Sequence, residues 1–413
     1  MVTTLMIKSN LLPLAFFFCF LTGNVDAQAL KVYVLCGQSN MQGHAKVETI
    51  DYIGDDLKTK PLLKMMRTKR GKPRVCKNVW ISYLTADGSG NGEGFGQLTT
   101  GYGARRNPKQ DGGKIGPEFT FGLCMDKATK EPILLIKTAW GGKSLHTDFR
   151  SPSSGPYEFT EQQLANFAKQ KKDIDKIKAE KIAATGKYYR LMIDHVRSVL
   201  ADIKRVYPKY NKRRGFELAG FVWFQGFNDL VDRDTYPNRE KPGGYGQYGK
   251  GLSAFIRDVR KDLATPKLPF VIGVLGVNGP LDEMGRYKAV YRNFRAAMAA
   301  PTKEREFKGN VVAVQTAPYW DIPLAKIEAK LDQVRELENK LRRKHKDSAN
   351  KNGDMTKAEQ KAHVKKFRTK LISKREEKVY KRGASNAGYH YLGCAKTMAL
   401  IGEAFAGAML KMQ

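Results

Sequence analysis

The stretch KVYVLCGQSNMQG, residues Lys31 to Gly43, changes character at its middle. Its first half, Lys31–Cys36, is apolar nearly throughout rather than alternating. That pattern predicts a parallel strand covered on both faces. Its second half places Ser39 between two amides, just past a glycine. A serine after a strand is an ordinary turn residue unless the rest of the chain brings a base and oxyanion donors to it.

Four other runs share the apolar pattern: residues 133–137 (ILLIK), 218–224 (LAGFVWF), 270–275 (FVIGVL) and 310–315 (NVVAVQ). Helical stripes separate and follow them. One runs from Tyr189 through Val196 to Ile203, one from Leu252 to Leu263, one from Tyr287 to Met298, and a last one from Ala395 to Met409. Strands alternating with helices predict a doubly wound α/β fold with a five-stranded parallel sheet. Ligands in such folds sit at the carboxyl ends of the strands. Polar and glycine-rich residues follow four of the five: Gly37-Gln38-Ser39-Asn40, Thr138-Ala139-Trp140-Gly141-Gly142-Lys143, Gln225-Gly226-Phe227-Asn228-Asp229 and Thr316-Ala317-Pro318.

The chain has 413 residues and a net charge of +32. Lys8, the apolar run from Leu11 to Leu21 and the small residues up to Ala27 read as a signal peptide over residues 1–27. A secreted or periplasmic protein is expected, with no stable membrane insertion and residues 28–413 as its one mature domain. No nucleic-acid motif accompanies the charge. A basic field attracts acidic polymers, so an anionic polysaccharide is an expected partner. Cys36, Cys76, Cys124 and Cys394 lack the spacing of a zinc site and predict at most one disulfide.

Two regions break the pattern. Residues 85–115 are rich in glycine and polar side chains, as functional loops are. Residues 322–382 carry roughly twice as many basic as acidic residues and read as a charged helical insertion. Within it, Ser348, Asn350, Asn352, Gly353 and Glu359 follow the spacing of an EF-hand loop but with little ligand charge, and a calcium-free turn is the expectation.

Histidine is the usual base for a serine. His345 and His363 lie in the charged insertion, and His195 lies near the edge of a helical apolar face. His44 and His146 fall in loops beside the expected site. His390 precedes the final helix, on a loop that a doubly wound fold can return to the end of the first strand. Candidate oxyanion donors are the Ser39 amide, Gly141 or Gly142, and the side chain of Gln225 or Asn228.

GQSNM at the first strand, AWGG after the second, WFQGFND at the third and a late histidine together resemble the sialate O-acetylesterase-like branch of the SGNH hydrolases. The acetyl xylan esterases of carbohydrate esterase family six are similar. The resemblance implies a flavodoxin-like three-layer α/β/α sandwich and removal of O-acetyl groups from a carbohydrate, with no metal or organic cofactor. It implies Ser39 as nucleophile and His390 as base, with an oxyanion hole from the Ser39 amide, Gly141 or Gly142, and Gln225 or Asn228; Gln38 and Asn40 are further candidates to bind oxyanion or substrate. Arg105, Arg106 and Lys143 are expected to meet substrate anions, and Trp140, His44 and His146 to shape the sugar site. The family pattern places an aspartate where Ala387 stands, and a glutamate where Phe227 stands. Asn386, a backbone carbonyl, Asp229, Asp232 and Asp321 are the candidates to orient His390. A carbohydrate-binding protein without catalysis is the competing class.

Overall fold

The computed structural model describes residues 29–84, 92–105, 107 and 112–413. The signal-type segment, part of the glycine-rich loop and Arg106 lie outside the described residues. The fold is α/β. Its main sheet is built from β1 (Leu30–Gly37), β2 (Val79–Leu84), β3 (Glu93–Gln97), β4 (Ile133–Ala139), β5 (Phe216–Phe224), β6 (Phe270–Val274) and β7 (Val311–Gln315). The spatial order is β3-β2-β4-β1-β5-β6-β7, and every pairing is parallel except β2 with β3.

The sheet therefore has seven strands, not the expected five. The five apolar runs are its contiguous centre and one edge. Both additions lie on the other side. β2 (VWISYL) is interrupted by the buried Ser82, so it lacks the unbroken apolar run of the central strands. β3 (EGFGQ) has neither β-branched residues nor alternation. An antiparallel edge strand is covered on one side only, so it needs little apolar pattern to form.

Helices cover both faces of the sheet. Tyr33 of β1 packs edge-on against Phe121 of helix Glu118–Ala128, with ring centroids 5.6 Å apart. Three residues on, and so on the opposite face, the Cys36 Sγ lies 3.3 Å from Met192 Sδ of helix Lys187–Ala201. Burial on both sides explains the unbroken apolar runs, each buried side chain contributing about 1.5–3 kcal/mol. Cys36, Cys76, Cys124 and Cys394 are all free thiols.

Three helices, Ile322–Arg342, Lys357–Leu371 and Lys374–Gly383, lie between β7 and the final helix, Ala395–Leu410. The EF-hand-like stretch folds as a turn and a helix start. Asn350 donates to the Leu341 carbonyl and accepts from the Met355 N–H. Glu359 accepts from the Thr356 N–H in a capping box.

The connection leaving β1 goes toward one edge of the sheet, and that leaving β5 toward the other. The carboxyl ends of β1 and β5 thus flank a topological switch point, where doubly wound sheets open a crevice.

Candidate active site

Ser39 begins a single helical turn, Ser39–Gln42, directly after β1. The turn starts against the sheet because Gly37 has no side chain. A Cβ there would stand 2.1 Å from the Phe224 carbonyl oxygen. Ser39 is mostly buried, and its hydroxyl takes no hydrogen-bond partner among the described residues.

The turn is anchored from below by a buried ion pair absent from the sequence-based expectations. Lys137 of β4 donates to the Gln42 carbonyl (2.8 Å), the Tyr102 carbonyl (2.8 Å) and Glu118 Oε2 (2.9 Å). Both charged side chains are fully buried. Burial pushes the Lys137 ammonium's pKa down, and Glu118 opposes that push. Breaking one partner of such a pair would leave an uncompensated charge, which costs about 3–5 kcal/mol. A lysine closing the run ILLIK resembles a solvated strand end. The signal available was that a doubly covered strand admits a charge only with a partner.

Gln38 joins the ends of β1 and β5. Its Oε1 accepts from the Gly226 N–H (3.0 Å), from Gln225 Nε2 (3.2 Å) and, at 3.4 Å, from the Asn228 N–H. Its Nε2 donates to Asn228 Oδ1 at 3.1 Å. Gln225 Nε2 also reaches the Lys143 carbonyl and Asp229 Oδ2, and its Oε1 accepts from Tyr248. Asn40 is buried and donates to the Tyr389 carbonyl at 3.2 Å. Gln38 and Gln225 are therefore engaged inside the protein, whereas the buried Asn40 Oδ1 takes no hydrogen-bond partner among the described residues. Asn228 differs: it is only half-buried, and its Oδ1 is held by Gln38 while no hydrogen bond engages its Nδ2 among the described residues. Gly141 is separated from Gly142 in the same way. A Cβ on Gly141 would lie 3.9 Å from Ser39 Cβ, whereas one on Gly142 would meet nothing within 4 Å.

His390 sits on the loop that Asn40 touches. The loop is strained. Tyr391 and Leu392 have φ of +52° and +60°, values that cost non-glycine residues about 1–3 kcal/mol each. Two anchors hold it there. The Tyr391 hydroxyl accepts from the Gly276 N–H (2.7 Å) and pairs with Thr316 Oγ1 (2.6 Å). The Leu392 carbonyl accepts from the N–H groups of Ser385 and Asn386.

That second anchor places Asn386 beside His390. Asn386 Oδ1 lies 2.9 Å from His390 Nδ1 and accepts the Ala387 N–H at 2.8 Å. The backbone donor identifies that atom as the amide oxygen. The proton of neutral His390 then resides on Nδ1, leaving Nε2 as an acceptor. The His390 ring stacks on His44, with centroids 4.0 Å apart and planes within 1°. Burial, followed by Lys114, lowers the His390 pKa to about 4. Burial, followed by His390, lowers that of His44 to about 3. Both rings are neutral at pH 7, the state a general base requires.

Other expected residues lie elsewhere. Asp229 is buried and accepts from the Leu145 and His146 N–H groups and from Tyr236. Asp232 pairs with His146 Nε2 at 2.8 Å, and Asp321 accepts from Tyr52 and caps helix Ile322–Arg342. None of these acids is the partner of His390 Nδ1. Trp140 is a core residue, packed edge-on to Tyr188. The Lys143 ammonium lies over the Tyr188 ring and 3.7 Å from Asp148. Arg105 lies over the Tyr102 ring.

Ser39 and the His390 loop meet through Asn40, with no hydrogen bond between the Ser39 and His390 side chains among the described residues; a serine and an acceptor histidine are the parts acyl transfer uses. Residues 29–317 match the family model described as carbohydrate esterase, sialic acid-specific acetylesterase. With well over half of its length matched, the chain belongs to that family, whose members are carboxylic ester hydrolases. The match includes Ser39, Gly141 and Asn228 and ends before His390 and the three inserted helices. Among solved structures, an Arabidopsis thaliana protein aligns at 16% identity, covering 69% of this chain and 85% of its own, with a TM-score of 0.37. A carbohydrate acetylesterase from Xanthomonas citri aligns at 13% identity, covering 69% of this chain and 49% of its own, with a TM-score of 0.36. No curated protein matches the chain.

Proposed function

We propose that the protein is an exported serine esterase that removes O-acetyl groups from a carbohydrate. Ser39 Oγ attacks the acetyl carbonyl carbon while His390 Nε2 takes the hydroxyl proton. The oxyanion is held by the N–H groups of Ser39 and Gly141 and by Asn228 Nδ2. The carbon–oxygen bond to the sugar breaks, and His390 returns the proton to the departing sugar oxygen. Water, deprotonated by His390, then attacks the acetyl-enzyme, and acetate leaves as Ser39 regains its proton.

The observation that carries this reading is the Asn386–Ala387–His390 contact. It supplies, without a carboxylate, the tautomer and ring orientation that an acid ordinarily provides. An amide brings less electrostatic help to the imidazolium that forms during attack. Export rests on the leader-type residues 1–27 alone.

Hydrolysis of 4-nitrophenyl acetate tests the reading. Wild type should turn it over, and Ser39→Ala should lose at least about a thousandfold in kcat. Equal rates for the two proteins would leave a carbohydrate-binding protein instead.

A further inference from the structure

Next to the catalytic cluster runs a groove of about 1080 Å³. Asn386, which holds His390, lines it, as does Tyr389, the neighbour of His390. Phe227, the neighbour of Asn228, also lines it, and its ring lies 5.7 Å from that of Tyr389. The groove therefore begins where the two halves of the site meet. Its far wall is helix Ile322–Arg342, beyond the part of the chain that matches the family model.

The lining is unlike the rest of the surface. Among the described residues, nine large hydrophobic side chains are exposed, and four of them line this groove: Val231, Tyr287, Ile322 and Tyr389. Trp320 adds a partly exposed indole. Such a concentration of apolar surface marks a binding site. Its charge is also distinctive. The chain carries +32, yet the groove sets Glu283, Glu328 and Asp332 against Lys326 and Arg335. Arg335 is bound to both Glu328 and Asp332, so even its charge is compensated.

We infer that this groove binds a run of neutral sugar units adjoining the acetylated one, so that the preferred substrate is a neutral oligo- or polysaccharide rather than a free acetylated monosaccharide or an acidic polymer. The inference rests on the esterase reading above. Sugar rings present C–H faces that lie flat on tyrosine and tryptophan, while their hydroxyls need polar partners at the rims. Asn278 and the groove carboxylates supply such partners. An acidic chain would meet the three carboxylates without a free cationic excess, and Lys143 and Arg105 are held against aromatic rings. The basic surplus of the insertion lies instead on the exposed faces of helices Lys357–Leu371 and Lys374–Gly383.

The test compares kcat/KM on O-acetylated xylo- and manno-oligosaccharides of increasing length, on O-acetylated oligogalacturonides, and on 4-nitrophenyl acetate. The value should climb about tenfold with chain length in at least one neutral series and not in the acidic one. Tyr287→Ala should flatten that climb, and Tyr287→Phe should preserve it. Binding of the longest neutral oligosaccharides to the Ser39→Ala protein, measured by calorimetry, reads the groove apart from the chemistry. A flat length dependence with 4-nitrophenyl acetate still hydrolysed overturns the groove and spares the esterase. Failure on every ester, with length-dependent binding retained, overturns the esterase and spares the groove. Preference for the acidic series overturns the neutral assignment.

Discussion

Among the described residues, Ser82 is hydrogen-bonded to a histidine and a carboxylate, whereas Ser39 shares the end of β1 with His390 without a hydrogen bond between them. Ser82, on β2, lies 2.9 Å from His195 Nε2 and 2.6 Å from Glu93 Oε1. As a parts list this is a complete serine–histidine–acid set. Its wiring runs the wrong way. The Ser82 hydroxyl gives its only proton to Glu93, so its oxygen must accept the proton of His195. Burial, opposed by Glu93, lowers the His195 pKa to about 4. Burial alone would raise that of Glu93, but hydrogen bonds from Arg205 and Ser82 hold it below its ordinary value. Ser82 is fully buried in mid-strand, where no substrate carbonyl fits. Ser39 has a hydroxyl without a hydrogen-bond partner among the described residues, at a strand end that Gly141 approaches. Position and proton direction, rather than the presence of an acid, separate the two.

Three substitutions probe that difference. Asn228→Ala removes one oxyanion donor from the Ser39 side and should lower kcat by roughly 10²–10³-fold with little change in KM. An unchanged kcat would move the oxyanion elsewhere. Asn386→Asp gives the Ser39 side the carboxylate it lacks. The active form of His390 is neutral, so kcat/KM should rise with pH through about 4 and then stay level. A carboxylate beside Nδ1 favours the charged ring, and the acid limb should move upward by about 1–2 pH units. A limb that stays in place would mean that Asn386 does not govern the base. Ser82→Ala should cost about 1–3 kcal/mol in denaturant unfolding, because it strips a partner from the buried His195 and one from the half-buried Glu93. Its kcat should match wild type, and a large loss would reopen the role of the Ser82 cluster.

Much of the fold was readable from single runs, and the limits of that reading were physical. Apolar runs revealed the strands around β1, because burial on both faces leaves no room for alternation. β3 carries no such pattern, because an edge strand needs none. Ser39, Asn228 and His390 stood out by their places after strands and before the last helix. The choice between Gly141 and Gly142 could not be read along the chain, since it depends on which one approaches Ser39 across the sheet. Asn386 was one candidate among several. Only the Ala387 N–H, which orients its amide, singles it out. Gln225 and Asn228 look alike as amides after a strand, and the hydrogen bonds from Tyr248 and to Asp229 and Gln38 are what set Gln225 apart as a positioning residue.

The account stands most directly on where the acyl group is carried. Wild-type protein quenched with acid during turnover of 4-nitrophenyl acetate and mapped by peptide mass spectrometry should carry an acetyl group on Ser39, with Ser82 unmodified. Turnover without any acetylated Ser39, or an acetyl group on Ser82, would contradict it.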